Sequence, residues 1–297
     1  MSDEPITHGL IFDDYCHADG WKGRMSASSI GYALPQDGGS MLQLRAYLDG
    51  ELPHRDSPAL AFGRAYHCRL LEPERFGESF AIVPDFEPTD GKPKTSGWRN
   101  TKDYKSQLAE WQATHEGTDE LNAADADKIE AMHARVKAHP VVKLLRSKGG
   151  AEVSIRGELC GVPCKSRLDR MQDDYRLIVD LKSARSLATH SLERAVLDYG
   201  YHIKAAFYRD LLHSITGVWA SWLWLFQASD PPYDVRPWQP PDCDLECGRA
   251  EYRRVLLRYK QCTESGVWPG MTDEIEQMGL PEWARRQWQK SGERSNV

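Results

Sequence analysis

Apolar and polar positions alternate with a period of two along Leu177-Ile178-Val179-Asp180-Leu181-Lys182. Leu177, Val179 and Leu181 take one side, and Ile178, Asp180 and Lys182 the other. That is the period of a β-strand. Val162, Cys164 and Leu168 repeat the pattern against Lys165, Arg167 and Asp169, and Ala151 to Ile155 predicts a strand just before them. Further on, Val218 to Gln227 is apolar on both sides, as expected of a strand covered on both faces. Its three tryptophans are read as core and not as a platform for bases. Pro231-Pro232 ends it, and Tyr233 to Trp238 predicts an edge strand.

Helical spacing fills much of the rest. Ser26-Ala27-Ser28-Ser29 caps one helix, and Met41 to Leu48 predicts a second. From Ser57 to Leu71, positions Leu60, Ala61, Arg64, Ala65, His67, Cys68 and Leu71 recur at helical intervals. Leu121 to Leu145 is helical with a break at Ala138-His139-Pro140. Ser191 to His213 predicts one long helix, and Asp242 to Cys262 another, capped by its aspartate. Pro84 to Asn100, with three prolines and two glycines, cannot stay regular. It reads either as a plain surface loop or, with Lys92, Lys94 and Arg99, as a guide for a nucleic-acid strand. Residues 1–25 have few apolar anchors and are expected to form a partly ordered arm. The tail around Trp283 and Trp288 is expected to dock on the body or on a neighbouring subunit.

Composition narrows the class without naming the chemistry. The 297 residues are 40% hydrophobic and 28% charged, ordinary for a globular protein. No apolar run is long enough to span a bilayer, and the first residues lack the regions of a signal peptide, so a cytoplasmic location is expected. Seven cysteines, an odd number without a CxxC pair, argue against a disulfide framework and against an iron–sulfur cluster. The net charge of −6 counts against a non-specific DNA-coating protein. It leaves room for an enzyme whose cleft is locally basic.

The charged residues on the three middle strands suggest a cation site on a sheet. Asp180 and Lys182 leave one strand on the same side, Asp169 and Arg167 belong to the strand before it, and Glu152 to the first. Mg²⁺ prefers oxygen ligands and keeps several waters, so two or three carboxylates suffice to hold it. A lysine beside the ion suits phosphodiester hydrolysis, where charge builds on phosphoryl oxygens. A solvated ion pair at a strand end gives the same Asp-x-Lys pattern, and the pattern alone leaves both readings open.

The order Glu152, Asp169, Asp180-Leu181-Lys182, followed by the helix with Tyr201-His202-Ile203-Lys204-Ala205-Ala206-Phe207-Tyr208, resembles the PD-(D/E)xK nuclease superfamily. Gly63 to His67, Leu71 to Phe76, Gly248-Arg249, Trp268-Pro269-Gly270 and Leu280 to Trp283 extend the likeness to the exonuclease VIII group of phage and prophage recombination nucleases. It runs from about Ser26 to Trp283. The resemblance implies an α/β (α+β) fold with a central mixed sheet flanked by helices and helical N-terminal additions. One nuclease domain would cover 26–290, helical over 26–148 and carrying the catalytic sheet over 149–290. It implies metal ligation by His67, Asp169, Asp180 and the Leu181 carbonyl, with Glu152 near the metal water and Lys182 catalytic. Mg²⁺ is the expected cofactor and Mn²⁺ the alternative. Lys204, Tyr208, Arg167 and Tyr201 are expected to meet DNA; the group usually has glutamine in place of Lys204. Tyr208 equally suits a core aromatic. The expected activity is exonucleolytic digestion of linear duplex DNA, 5′ to 3′, by a trimeric or tetrameric ring working with a single-strand annealing protein. The competing reading is a degenerate nuclease fold that only binds DNA ends or a partner.

Overall fold

A computed structural model describes residues 4–53 and 57–294, with side chains through residue 288. In chain order the first half holds β1 (Ile6–Thr7), α1 (Phe12–His17), α2 (Ala27–Ile30), α3 (Met41–Leu48), α4 (Pro58–Leu71) and α5 (Phe76–Ser79). Then come β2 (Phe80–Val83), α6 (Lys102–Thr114), β3 (Asp119–Asn122), α7 (Ala123–Ala138) and α8 (Val142–Leu145). The second half holds β4 (Gly149–Leu159), β5 (Val162–Gln172), β6 (Leu177–Ala184), α9 (Thr189–Asp198) and α10 (Tyr201–Thr216). It ends with β7 (Ser221–Ala228), β8 (Val235–Trp238), α11 (Asp242–Ser265) and α12 (Glu282–Arg294).

Six strands form one mixed sheet in the order β1-β4-β5-β6-β7-β8. Every neighbouring pair is antiparallel except β6 and β7, which run parallel with Asp180 opposite Trp224. A parallel neighbour needs a crossover, and here α9 and α10 supply it. The helices lie on both faces of the sheet. Ile178, Trp222, Trp224 and Phe226 pack with Phe207, Leu211, Tyr252 and Leu256 of α10 and α11. Val179, Leu181, Leu223 and Leu225 pack with Ala65 and Tyr66 of α4 and Ile129 and Met132 of α7. The α/β expectation and the mixed central sheet agree with this arrangement.

Polar anchors fix the helices against the sheet. Gln227 is fully buried on β7; its amide accepts from the Tyr66 hydroxyl at 2.7 Å and donates to the Met132 carbonyl at 2.8 Å. That ties α4 and α7 to one strand. On the other face, Arg249 of α11 donates two hydrogen bonds to Asp210 of α10, at 2.6 and 2.7 Å, and Tyr252 donates a third. The bidentate geometry fixes direction as well as distance.

Four local expectations change. The stretch to residue 25, expected as a partly ordered arm, carries a strand and a helix; residues 1–3 lie outside the described residues. β1 pairs with β4, Met25 donates and accepts backbone hydrogen bonds with β5, and Trp21 and Met25 are buried. The long helix from Ser191 to His213 is two, because Gly200 sits between them in the left-handed region at φ 61°. α11 is not capped by Asp242; its N-cap is Pro241, and Asp242 lies in the first turn, where a carboxylate still complements the helix dipole. Trp219 lies outside β7 and is 54% exposed, so only Trp222 and Trp224 are core.

Candidate active site

β5 and β6 pair only at Arg170–Val179 and Met171–Ile178. Beyond that point they part, and the Asp169 carboxylate fills the gap by accepting the Leu181 N–H at 2.8 Å. α4 reaches the split from one layer: His67 Nε2 lies 3.1 Å from the Leu181 carbonyl, and His67 Nδ1 lies 3.6 Å from Asp169 Oδ2. A carbonyl only accepts, so Nε2 donates in that contact while Nδ1 faces the Asp169 carboxylate. Glu152 approaches from β4. Ligand atoms of His67, Glu152 and Asp169 all lie within 4.8 Å of one another.

Glu152 adopts φ 48°, a left-handed conformation that a non-glycine side chain takes at a cost. Its carboxylate accepts from Arg167 Nε at 2.7 Å, and Arg167 Nη1 donates to the Leu10 carbonyl at 2.6 Å. Burial, and then the Asp169 charge, push the Glu152 carboxyl above its ordinary range despite Arg167.

Across the split, α10 brings a second charged group. Asp180 is 1% exposed. One of its oxygens pairs with Lys182, and the other lies 2.8 Å from Lys204 Nζ. Burial alone would raise the Asp180 carboxyl; the two ammonium groups outweigh it and hold it well below the usual carboxylate range. Lys182 also donates to the Leu181 carbonyl at 3.0 Å. Burial lowers the Lys182 ammonium, whereas Asp180 overrides burial at Lys204 and raises it. The Tyr201 ring lies 5.1 Å from Lys182 Nζ, and the Tyr208 ring 5.2 Å from Lys204 Nζ. Both cations thus rest on aromatic faces.

The structure brings all the expected site residues to one place but divides their labour differently. Asp180 is outside the three-residue ligand group; Lys204 lies against one of its oxygens and Lys182 beside the other. Glu152 joins that group instead. The Leu181 carbonyl, expected to face a metal, is taken by His67 and Lys182. The four expected DNA contacts are engaged within the chain. Lys204 holds Asp180, Arg167 holds Glu152, Tyr201 lies beneath Lys182, and Tyr208 is buried edge-on to Trp222. Burial pushes the Tyr201 and Tyr208 hydroxyls up to about 12. Sequence reasoning missed the roof over the basic end of the sheet. Leu10 accepts from Arg167, and the Tyr15 carbonyl accepts from buried Lys165 at 2.7 Å. The closely spaced aromatics Phe12, Tyr15 and Trp21 were the available signal.

The donor set suits a small hard cation: two carboxylates and one imidazole, their ligand atoms all within 4.8 Å of one another. Carboxylate oxygens suit Mg²⁺, and the imidazole makes Mn²⁺ equally acceptable.

No curated protein matches the chain. Among solved structures, it superposes on the crystal structure of a "Putative exonuclease" from Eubacterium rectale with a TM-score of 0.61 and 17% identity. That match covers 93% of this chain and 97% of the other, and at this identity it shows the fold alone. The crystal structure of SSO0001 matches at a TM-score of 0.27 and 15% identity, over 57% of this chain and 80% of that one, too distant to carry an argument. A family model described as a PDDEXK-like domain of unknown function (DUF3799) matches residues 38–281. The chain therefore belongs to that PDDEXK-like family.

Proposed function

We propose that the protein is a divalent-metal-dependent exodeoxyribonuclease that degrades linear double-stranded DNA from its ends, 5′ to 3′, and exposes single strands for recombination. The observation that carries this reading is the group His67, Glu152 and Asp169, with ligand atoms within 4.8 Å of one another, beside Lys182 at the parting of β5 and β6. These three residues would hold Mg²⁺ or Mn²⁺. Such an ion supplies an activated water and charge neutralisation at the scissile phosphate. Lys182 is placed to donate to a non-bridging phosphoryl oxygen, its ammonium aimed by Asp180 and the Leu181 carbonyl. Asp169 is fixed by the Leu181 N–H, so it cannot swing out as substrate enters. Arg167 holds the Glu152 carboxylate in place by donating from Nε. The fold shared with the Eubacterium rectale structure is consistent with this reading.

The test is digestion of end-labelled linear duplex and of closed circular DNA, with Mg²⁺ and with chelator. Linear DNA should be degraded only with Mg²⁺, circles should be spared, and Asp169→Asn should lose activity by about a hundredfold or more. Cleavage that persists in chelator, or in the variant, would sink the assignment. A second reading draws on the two lysines bound to Asp180: a module that holds DNA ends without cutting them. Tight end binding with no cleavage in Mg²⁺ or Mn²⁺ would select it.

A further inference from the structure

We infer that Phe12 is a stacking platform for a nucleobase at the DNA end, the open face of an aromatic column that ends beside the ligand group. This rests on the reading above in placing a strand at His67, Glu152 and Asp169, and adds how the base is held. Between β1 and Met25 the chain sets three rings over three cations of the sheet. Trp21 lies 5.2 Å from the Arg156 guanidinium, Tyr15 lies 4.6 Å from the Lys165 ammonium, and Phe12 lies 5.9 Å from the Arg167 guanidinium. Arg156 and Lys165 face each other across β4 and β5, and Arg167 follows two residues along β5 on the same side. The rings also pack on one another. Trp21 and Tyr15 have centroids 5.7 Å apart; Tyr15 and Phe12 are 6.1 Å apart with planes at 25°.

Trp21 and Tyr15 are buried, whereas Phe12 is 62% exposed, so the column ends in a ring that is backed but not covered. Its backing is fixed: Arg167 donates from Nε to Glu152 and from Nη1 to the Leu10 carbonyl. One guanidinium therefore separates the ring from a member of the ligand group. In a nucleotide, one sugar separates phosphate from base, a span of the same order. A strand with its phosphate at the ligand group thus brings a base to Phe12. Every base has a flat π-face, so such a contact holds an end without reading its sequence. Asp13 and Asp14 follow Phe12 in α1 and would repel a phosphate there, which leaves the base as the group received.

The test is a cycle between ring and base, read by fluorescence anisotropy on the full chain with Ca²⁺ in place of Mg²⁺. The probes are blunt linear duplexes, intact or lacking one base at each of the first three nucleotides of either strand in turn. Phe12→Ala should weaken binding to the intact duplex about tenfold, within what one base–aromatic stack contributes. One of the abasic duplexes should weaken the parent equally, and combining it with Phe12→Ala should cost less than about twofold more. Phe12→Trp should keep the parent affinity, and Phe12→Leu should follow alanine, being apolar without a face. Losses that add in full at every position overturn the inference, as does a leucine variant that binds like the parent. So does a Phe12→Ala protein that changes mass in light scattering and shows no coupling, which makes the ring a contact between copies. Cleavage of linear duplex in Mg²⁺ without coupling removes this inference alone. Coupling without cleavage in Mg²⁺ or Mn²⁺ removes the nuclease reading and leaves the platform on an end-binding module.

Discussion

Glu152 combines two unfavourable states, a φ of 48° and a carboxylate kept above its ordinary range by burial and by Asp169. A carboxyl whose folded-state proton affinity exceeds its unfolded one costs stability when ionised. That cost is absent below its unfolded value, near 4.5, and grows as pH rises through the folded value. In chelator, Glu152→Gln should therefore raise Tm at pH 7.5 by about 1–3 °C. The amide oxygen can still accept from Arg167, so the ladder to Leu10 survives. The gain should vanish at pH 4, and an equal gain at both pH values in thermal melts would refute the charge argument. Individual chemistry was partly legible: Glu152, Asp169, Asp180 and Lys182 were singled out from residue type and strand period, and His67 only through the family resemblance. Which oxygen meets which cation was not. Asp180 and Lys204 lie on different elements, and no pattern in the sequence says how near α10 approaches β6.

Most elements followed from periodicity. Met41–Leu48 is helical over the expected residues, and the break at His139-Pro140 separates α7 from α8. The split between α9 and α10 was signalled by Gly200, but a single glycine within helical spacing leaves the pattern intact, and only its φ reveals the turn. The N-terminal stretch was underestimated for a related reason. Its few apolar residues, Leu10, Tyr15 and Trp21, form a cluster of their own over the strands and never add to a long helical or alternating run. The contact of α10 with α11 gives a direct test of element packing. A Cβ on Gly248 would lie 2.3 Å from the His202 carbonyl oxygen and 2.9 Å from the Ile203 nitrogen, both backbone atoms with little room to yield. Gly248→Ala should push α11 off the first turn of α10 and cost about 1–3 kcal/mol in denaturant unfolding. An unchanged midpoint would mean that the two helices slide freely.

For the whole molecule, the central difficulty is staying on DNA. The chain carries a net charge of −6, and binding to duplex depends on phosphate neutralisation. The basic residues nearest the site are spent on its own carboxylates. Among the described residues no helix is long and apolar enough to cross a membrane. The proposed answer is topological: a cyclic trimer or tetramer encircling the duplex needs little charge to remain attached. Multi-angle light scattering should give three or four times the chain mass of 33.8 kDa, with digestion continuing after excess competitor DNA is added. A monomer mass under active conditions would dismiss the ring. Sheet order was less legible than sheet content, because alternation identifies strands and not their neighbours. The parallel pairing of β6 with β7 depends on where the crossover helices pack, which is a property of the assembled layers.

The contact between His67 and the Leu181 carbonyl joins positions 114 residues apart. His67 precedes Glu152 by 85 residues and Lys182 by 115, so the helix that carries it is made well ahead of the three strands. A ribosome-bound fragment therefore has the imidazole without the acids, and later the acids without the strand that aims the lysine. On the proposed reading, the ligand group and its lysine cannot come together before β6 has been made.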